Sequence, residues 1–506
     1  MIDLDGHSVT LPSFLKIVRE GEKVSLSSKT LKAIQASRNH VEKAIQSGKK
    51  IYSINTGFGI LSKVLVPPQD LEQLQVNFVR SHCAAVGEPH SEEESRAILL
   101  LRTNVLAKAY SGVRPQLVEL LVEMLNRRVH PVIPSKGSVG ASGDLAPLAH
   151  LAAVLIGEGE AFVEGKRMDG AVALKRVGLT PIRLAVKEGL SLTNGTQQMT
   201  AQAALILSRA LQLADLADLI CAGTNEGTLG TSRAYLDWVH ETRPHEGQKA
   251  SARNLHRFLA QSEIYESHRN CDRVQDPYSI RCAPQIHGAC RDLLSQAQKT
   301  VEVELNAATD NPLVHPETGD IVSCGNFHGQ PVAFAMDLMG IALAQLSNVS
   351  ERRIVKLLNP VFSELPTFLI KNEGLNSGFM IAQYTAASLV SESKLLSHPA
   401  GTDSIPTNND KEDINSMGPI SARKAKVILK NTQYVLAIEA LAACQAIDLR
   451  QPLKPGVGPR LLHATVRRHV SMLEHDRFMA ADIEKMESLL ESEELYRAVV
   501  ASQLLN

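Results

Sequence analysis

The chain has 506 residues, of which 44% are hydrophobic and only 4% aromatic, and its formal net charge at pH 7 is -1. Such a length allows a large core, ordinarily divided among roughly two to four domains. Because 53 Lys and Arg residues balance 54 Asp and Glu residues, the strong positive charge of many nucleic-acid-binding and membrane-surface proteins is excluded. The abundance of Ala and Leu predicts a mainly all-α fold.

The N-terminus and the cysteines indicate a cytoplasmic protein. Residues 1–7 contain neither a basic nor an apolar segment, so no secretory signal is expected. Asp337 and Gln345 interrupt the longest apolar stretch, so no membrane span is expected. The seven cysteines are odd in number and widely scattered, which favours reduced thiols over disulfides or a zinc site.

Shorter periodic segments and many Gly and Pro residues predict an N-terminal domain over 1–200. Within it, an extended segment is predicted to end near Tyr52 and to enter the glycine-rich sequence Asn-Thr-Gly-Phe-Gly at 55–59. A tyrosine beside such a loop can face a cavity and, if a neighbouring charge lowers its pKa, remove a proton from carbon as a phenolate. Considered alone, Tyr52 is explained more simply as a packed ring at a loop edge.

The most informative motif runs from Gly140 to Asp144 and places a serine between small residues. Because glycine has no Cβ, Gly143 can bring its amide nitrogen towards the carbonyl carbon of Ala141. Attack by that nitrogen with loss of water would close a five-membered imidazolone ring. Loss of the Ser142 hydroxyl as a second water would then leave an electrophilic methylene group on the ring.

Three other interpretations of this motif remain open from its residues alone. A phosphate-binding loop requires Gly-Lys-Ser/Thr at its end, whereas Gly143 is followed by the acidic Asp144. A serine hydrolase elbow, Gly-x-Ser-x-Gly, differs by one residue from the sequence at 140–144, and the apolar strand expected before it is missing. A plain structural turn is as compatible with the spacing as ring closure is.

Further polar residues could surround such an electrophile. Asn194 begins the sequence Asn-Gly-Thr-Gln at the start of a predicted helix, where it could bind a polar ligand or cap the helix. Tyr278 and Arg281 lie three residues apart between two prolines, and arginine binds carboxylates through paired hydrogen bonds. A surface ion pair is the alternative for Arg281, and it is less favoured beside Tyr278 and Gln285.

Residues 201–506 are predicted to form a domain of long helices. In one window Tyr434, Ile438 and Leu441 recur at steps of three and four, as one buried helical stripe requires. Several windows exceed twenty residues, which suits a bundle whose helices are enclosed by neighbours, including other subunits. The predicted helical windows are 197–221, 332–358, 377–396, 421–449 and 475–500.

Six sequence strings occur in order along the chain, and together they resemble the aromatic amino acid ammonia-lyase family. The strings are Tyr-x-Ile-Asn-Thr-Gly-Phe-Gly, Ala-Ser-Gly-Asp-Leu-Ala-Pro, Asn-Gly-Thr-Gln, Tyr-Ser-x-Arg-Cys-x-Pro-Gln, Thr-Asp-Asn-Pro-Leu and Gly-Asn-Phe-His. This resemblance implies a central bundle of long helices of the ammonia-lyase/fumarase-like type and a smaller mixed N-terminal domain. It also implies a homotetramer whose active sites are each assembled from three chains.

The resemblance implies that Ala141, Ser142 and Gly143 cyclise autocatalytically into 4-methylideneimidazole-5-one, so that no metal or external cofactor is needed. Tyr52 would be the catalytic base at the β-carbon of the substrate, and Arg281 would bind the substrate carboxylate.

For the remaining site residues the resemblance implies supporting and binding roles. Tyr278 and Asn194 would support the prosthetic group and the developing charge. Phe327 would lie close by, and Gln285 would belong to the substrate-binding set. His82 and Glu412, otherwise explained as a structural histidine and a solvated acidic turn, would contact the imidazole side chain or the amine of the substrate.

The Ser81-His82 pair and Glu412 resemble the family members that act on histidine, which implies deamination of L-histidine to trans-urocanate and ammonia. Members specific for phenylalanine carry an apolar pair at the first site, and tyrosine-specific members carry a histidine where this chain has Ser81. The chain departs from the histidine-specific pattern at Lys411, Ile414 and Asn415. Deamination of phenylalanine or tyrosine and a 2,3-aminomutase activity therefore remain alternatives, and a serine hydrolase and an inactive helical scaffold are the alternatives from other classes.

Overall fold

The computed structural model describes residues 1–47, 50–52 and 54–505, and these form two compact units. The first unit contains Met1–Leu205, Gln298–Asp337 and Pro399–Arg423, and the second contains Ile206–Ala297, Leu338–His398 and Lys424–Asn506. The boundary predicted between 1–200 and 201–506 lies close to the first of these divisions. Two later stretches of chain return to the first unit, so each unit is assembled from separate parts of the sequence.

The described strands are short and all belong to the first unit. β1 (Ile2–Asp3) pairs in parallel with β2 (Val24–Ser25), and the other described pairings are antiparallel: β3 with β5, β6 with both β4 and β7, and β8 with β9. These strands give the first unit the mixed character that was predicted for the N-terminal region. Their bounds are β3 (Val86–Pro89), β4 (His130–Pro131), β5 (Pro134–Lys136), β6 (Glu160–Val163), β7 (Lys166–Asp169), β8 (Leu313–Val314) and β9 (Ile321–Val322).

Helix α4 packs against α2 and α5 in the first unit, and its residues are almost all buried. A capping box begins α4: the Ser91 hydroxyl accepts a hydrogen bond from the Glu94 N–H at 3.2 Å, and the Ser91 N–H donates to the Glu94 carboxylate at 3.0 Å. Helix α6 packs against both α3 and α8. The helices in chain order are α1 (Leu11–Leu15), α2 (Ser28–Gln46), α3 (Leu71–His82), α4 (Glu92–Ala107), α5 (Pro115–Asn126), α6 (Leu145–Leu155), α7 (Gly170–Arg176) and α8 (Glu188–Thr193).

Helices, several of them longer than twenty residues, make up most of the rest of the chain and confirm the predicted mainly helical fold. They are α9 (Gln197–Gly227), α10 (Asp237–Glu241), α11 (Glu246–Phe258), α12 (Glu263–Ser267), α13 (Tyr278–Arg281), α14 (Ala283–Glu304), α15 (Gln330–Leu358), α16 (Pro360–Ser363), α17 (Met380–Leu396), α18 (Gly418–Leu449), α19 (Val457–Arg467), α20 (Met479–Glu491) and α21 (Glu494–Ala501). The window predicted as one helix over 475–500 is two helices, because Glu493 adopts a left-handed conformation with φ 64° between α20 and α21.

Helices α15 and α18 are long and apolar enough to cross a membrane by length and composition alone. In the part of the chain that the structure describes, 67% of the apolar window of α15 and 83% of that of α18 are buried. Burial of this extent is typical of core helices, which pass the same test.

The second unit buries a network of charged side chains near α13. Arg353 donates two hydrogen bonds to the Glu439 carboxylate, at 2.5 and 2.9 Å, and both residues are fully buried. The Arg353 guanidinium also donates to Nε2 of His287 at 3.0 Å and to the Ser279 carbonyl at 3.5 Å. The network therefore contacts the backbone of the short helix that carries Tyr278.

Candidate active site

The Ala141-Ser142-Gly143 tripeptide lies in a tight turn against a second turn at Gly195. The Gly195 N–H donates to the Ser142 carbonyl at 3.2 Å, and the Asp144 N–H donates to the Gly195 carbonyl at 2.7 Å. Gly143 has φ 74°, and a Cβ at this position would lie 2.2 Å from the Gly195 carbonyl oxygen. Only glycine permits both this conformation and this approach of two backbones.

Asp144 ties the same turn to the beginning of α9. Its carboxylate is fully buried and accepts hydrogen bonds from the Met199 N–H at 3.0 Å and the Ser138 hydroxyl at 3.3 Å. Burial raises the pKa of Asp144 to about 7, although these hydrogen bonds act in the opposite direction. The tripeptide is thus held from its C-terminal side by a side chain as well as by the backbone.

A cavity of about 480 Å³ opens beside this turn within the first unit. Its size suits a small-molecule ligand. Five residues predicted for the site line it together: Tyr52, His82, Ser142, Asn194 and Glu412. Ser81, quoted with His82 as a specificity pair, lines it too.

Tyr52 lies in a turn and not at the end of a strand, so the extended segment predicted there is wrong; Ser53 of the same motif is outside the described residues. The Gly59 N–H donates to the Tyr52 phenol oxygen at 3.4 Å. Burial raises the pKa of Tyr52, the Gly59 hydrogen bond lowers it, and the negative charge of Glu412 raises it further. The lowered pKa expected from a neighbouring charge is therefore not found for Tyr52.

His82 ends helix α3 with a fixed tautomer. Its Nδ1 lies 2.8 Å from the Phe78 carbonyl oxygen, which can only accept, so Nδ1 carries the proton and Nε2 is left as an acceptor. The imidazole stacks on the Phe78 ring with centroids 3.8 Å apart. Burial lowers the pKa of His82, although the Phe78 carbonyl and Glu412 act in the opposite direction. The pocket therefore contains a neutral histidine that offers a lone pair.

Glu412 belongs to a turn whose ends, Thr407 and Glu412, pair through their backbones. The Thr407 hydroxyl donates to one carboxylate oxygen at 2.7 Å, and the Asn408 amide donates to the other at 3.3 Å. This turn fixes the orientation of an anionic group at the edge of the cavity.

Asn194 ends α8 and is held from two sides. Its side-chain amide donates to the Asn311 backbone carbonyl at 3.3 Å. Its backbone carbonyl accepts from the fully buried Arg102 guanidinium at 2.8 Å. Sequence reasoning missed Arg102, and it missed Asn311 and Asn408, which line the cavity. The signal for Asn311 was present in the string Thr-Asp-Asn-Pro-Leu, which a simple turn explains equally well.

The other predicted residues are not brought into this cavity. Tyr278, Arg281 and Gln285 belong to the second unit, on α13 and α14, and the half-buried Phe327 belongs to the first unit without lining the cavity. The Tyr278 side chain is 71% exposed, and the Arg281 guanidinium lies 5.0 Å from the centre of its ring. Nε of Arg281 and Oε1 of Gln285 are buried without a hydrogen-bond partner among the described residues.

Comparison with known proteins gives a consistent result. The model of the family described as aromatic amino acid lyase matches residues 9–468. The histidine ammonia-lyase of Stigmatella aurantiaca is 51% identical over 498 residues, which is 98% of each chain. That of Gloeobacter violaceus is 52% identical over 500 residues, which is 99% of this chain and 97% of the relative.

Solved structures agree over the same length. The crystal structure of histidine ammonia-lyase from Trypanosoma cruzi has a TM-score of 0.92 at 41% identity, covering 100% of this chain and 96% of that one. The structure of tyrosine aminomutase from Streptomyces globisporus has a TM-score of 0.93 at 39% identity, covering 99% of this chain and 98% of that one.

Proposed function

This chain belongs to the aromatic amino acid lyase family, and we propose that it converts L-histidine non-oxidatively into trans-urocanate and ammonia. The observation that carries the proposal is the presence of His82 and Glu412 with Ser142 in one cavity. Several relatives that are about half identical over nearly the full chain bear the name histidine ammonia-lyase, which supports the same substrate.

The proposal includes an electrophile, 4-methylideneimidazole-5-one, formed from Ala141, Ser142 and Gly143 with loss of two waters. The turn fits this group, because a Cβ at Gly143 would fill the space that the Gly195 carbonyl occupies and the ring-forming backbone is held on both sides. When formed, the group supplies the electrophilic carbon that makes the substrate amine a better leaving group.

Tyr52 would remove the β-proton of the substrate as a phenolate. The Gly59 N–H is positioned to stabilise the negative oxygen, and the cationic amine of an incoming amino acid would lower the phenol pKa that burial and Glu412 raise. General-base catalysis of this kind typically contributes about 10²–10⁴-fold in rate.

His82 and Glu412 would select the substrate by accepting hydrogen bonds. Nε2 of His82 can accept from the N–H of a substrate imidazole, and the Glu412 carboxylate can accept from the imidazole or from the amine. The ring of phenylalanine carries no such donor, so it would leave these acceptors unpaired. Sites built around a polar substrate group discriminate by up to about 10⁴–10⁵-fold.

Tyr278, Arg281, Gln285 and Phe327 would complete the site in a homotetramer in which three chains contribute to each active site. The high exposure of the Tyr278 ring and the unpartnered Nε of Arg281 support a role that needs a further binding partner. Arg281 would bind the substrate carboxylate. We also propose a cytoplasmic location, which fits cysteines that are all free thiols in the described structure.

The assay that tests the proposal follows product absorbance with three amino acids. We expect urocanate to be released from L-histidine at least about 10³-fold faster than cinnamate from phenylalanine or coumarate from tyrosine. Faster release of cinnamate or coumarate would overturn the substrate assignment, and a β-amino acid product would identify an aminomutase.

Intact mass spectrometry tests the electrophile separately. The purified chain should be lighter than its encoded mass by two water molecules, whereas the Ser142→Ala variant should not show this loss and should be inactive. A full encoded mass in an active wild-type enzyme would contradict formation of the ring.

A further inference from the structure

The turn that carries Glu412 is fastened to the Gly59–Lys63 turn that follows Tyr52. The Lys411 ammonium donates to the Gly59 carbonyl and to the Ser62 hydroxyl, each at 3.1 Å. From the same turn, Asn408 Oδ1 accepts from the Ile60 N–H at 3.2 Å. Two segments separated by about 350 positions in sequence are thus joined by side chains from one of them.

Gly59 is the residue through which this contact reaches the base. Its carbonyl accepts from Lys411, while its N–H donates to the Tyr52 phenol oxygen at 3.4 Å. Gly59 has φ 56°, a left-handed conformation that glycine adopts at little cost. Because glycine adopts other conformations just as easily, the contacts around Gly59 must hold it in this one. Lys411 is exposed and does not line the cavity.

We propose that Lys411 is a positioning residue for Tyr52: by binding the Gly59 carbonyl, it keeps the Gly59 N–H on the phenol oxygen. This inference rests on the proposed function, in which Tyr52 is the base, but it does not depend on which amino acid is deaminated. Position 411 is one of the three that depart from the histidine-specific pattern, and this inference assigns it a structural role.

The electrostatics of the cavity determine what should happen without this contact. Two other titratable groups line the cavity with Tyr52, namely Glu412 on the neighbouring turn and His82 on α3. Glu412 disfavours the phenolate, His82 is neutral, and the Gly59 N–H is the described group that favours it. Displacing Gly59 should therefore raise the pKa of Tyr52, so that a higher pH is needed to produce the base.

Two variants at position 411 and one control separate the hydrogen bond from the charge. Lys411→Met keeps most of the side-chain stem and removes the donor, whereas Lys411→Gln keeps a donor and removes the charge. Lys63→Met removes a positive charge from the same turn, and the Lys63 side chain has no described hydrogen bond to Gly59.

The experiment measures kcat/KM for L-histidine against pH and the deuterium isotope effect with β-deuterated substrate. For Lys411→Met we expect the rising limb to move to higher pH, kcat/KM at pH 7 to fall roughly 3- to 10-fold, and the isotope effect to increase because proton removal is slowed. KM should change little, since Lys411 does not touch the substrate. Lys411→Gln and Lys63→Met should remain within about 2-fold of wild type.

A wild-type pH profile and isotope effect in Lys411→Met would overturn the inference. The same follows if Lys411→Gln behaves like Lys411→Met, because the charge and not the hydrogen bond would then matter. Failure of the wild-type enzyme to release urocanate would instead count against the proposed function. The variants would then be compared on whichever amino acid the wild type deaminates.

Hydrogen exchange gives a second readout that is independent of turnover. Lys411→Met should speed exchange in a peptide covering 57–65, which contains the Gly59 and Ile60 amides, and should leave peptides from α4 unchanged. Unchanged exchange over 57–65 would show that Lys411 does not hold this turn.

Discussion

At position 143 the absence of a side chain allows two backbone segments to approach closely. Gly143 and Gly165 have the same φ, 74°, but a Cβ at Gly143 would meet the Gly195 carbonyl at 2.2 Å, whereas a Cβ at Gly165 would meet nothing within 4 Å. The two residues therefore share a backbone preference and differ in their surroundings, which makes them a matched pair.

We predict that Gly143→Ala is far more damaging than Gly165→Ala. The control should lose about 1–2 kcal/mol of unfolding free energy through its left-handed conformation alone. The Gly143→Ala chain must also separate two backbones, so it should lose activity and show little or no dehydration by intact mass. Equal losses of stability and activity in the two variants would contradict the close approach at Gly195.

His130 gives the first unit a defined sensitivity to acid. Burial lowers its pKa to about 4, with help from the charges of Arg96 and Arg128, whereas the unfolded chain protonates the same group near pH 6.5. Between these values the unfolded state binds more protons, so stability falls as the pH falls, by up to about 3 kcal/mol.

We therefore expect His130→Asn to flatten the dependence of unfolding free energy on pH between about 6.5 and 4. Denaturant unfolding at several pH values measures the slope. As a control, the His245→Asn variant changes an exposed histidine and should leave the slope unchanged. An unaltered slope in His130→Asn would show that other groups cause the acid sensitivity.

At the scale of single elements, α13 depends on a buried tyrosine for its position. The Tyr235 hydroxyl donates to the Ile280 carbonyl at 2.9 Å and accepts from the Asn225 amide at 3.2 Å. This carbonyl belongs to the short helix that carries Tyr278 and Arg281. A helix of four residues has few hydrogen bonds of its own, so such external contacts fix its position.

We predict that Tyr235→Phe raises KM for L-histidine several-fold, because Arg281, which we propose binds the substrate carboxylate, loses its fixed backbone. It should also cost about 1–3 kcal/mol of stability, because the Ile280 carbonyl and the Asn225 amide both lose their hydrogen bond to the buried hydroxyl. Tyr265→Phe removes the hydroxyl of a half-buried tyrosine elsewhere in the second unit and serves as the control. An increase in KM of similar size in both variants would contradict the inference that the Tyr235 hydroxyl acts through α13.

Sequence periodicity predicts four of the long helices, but it misses the 22-residue α14 and the irregular helix ends. α9, α15, α17 and α18 lie close to their predicted windows, since a continuous apolar stripe is a signal that spans many residues. The break between α20 and α21 was not predicted, because a left-handed Glu493 carries none of the Gly or Pro signals that mark a helix end.

At the scale of the whole molecule, sequence motifs predict some of the residues that meet in the cavity but not how they are held. Ser142, Tyr52 and Asn194 were marked by short strings, and the structure brings all three together. The contacts of Asp144 with Met199 and of Lys411 with Gly59 join distant parts of the chain. No local pattern encodes them, and the same limit applies to the return of 298–337 and 399–423 to the first unit.

The division of the predicted site residues between units leads to a test of assembly. In the proposed homotetramer, Ser142 and Arg281 of one active site come from different chains. Ser142→Ala and Arg281→Ala chains should each have little activity alone, and co-expression of the two should restore about one quarter of wild-type activity, since random mixing leaves that share of sites intact. Assay of the purified hybrid measures the restored fraction. No recovery above the separate variants would mean that both residues act within one chain.

The Phe78 carbonyl that orients His82 has a consequence for how such an enzyme changes over generations. A backbone atom one helical turn away supplies part of that orientation, and this atom would be present whichever side chain stood at 82. The turn at Gly143 offers no comparable freedom, since another backbone occupies the space into which a side chain would grow. A single mutation at 82 can therefore change the lining of the pocket while the turn that we propose forms the electrophile stays as it is. Lineages that descend from such a chain should diverge in the amino acids they consume long before they diverge in chemistry.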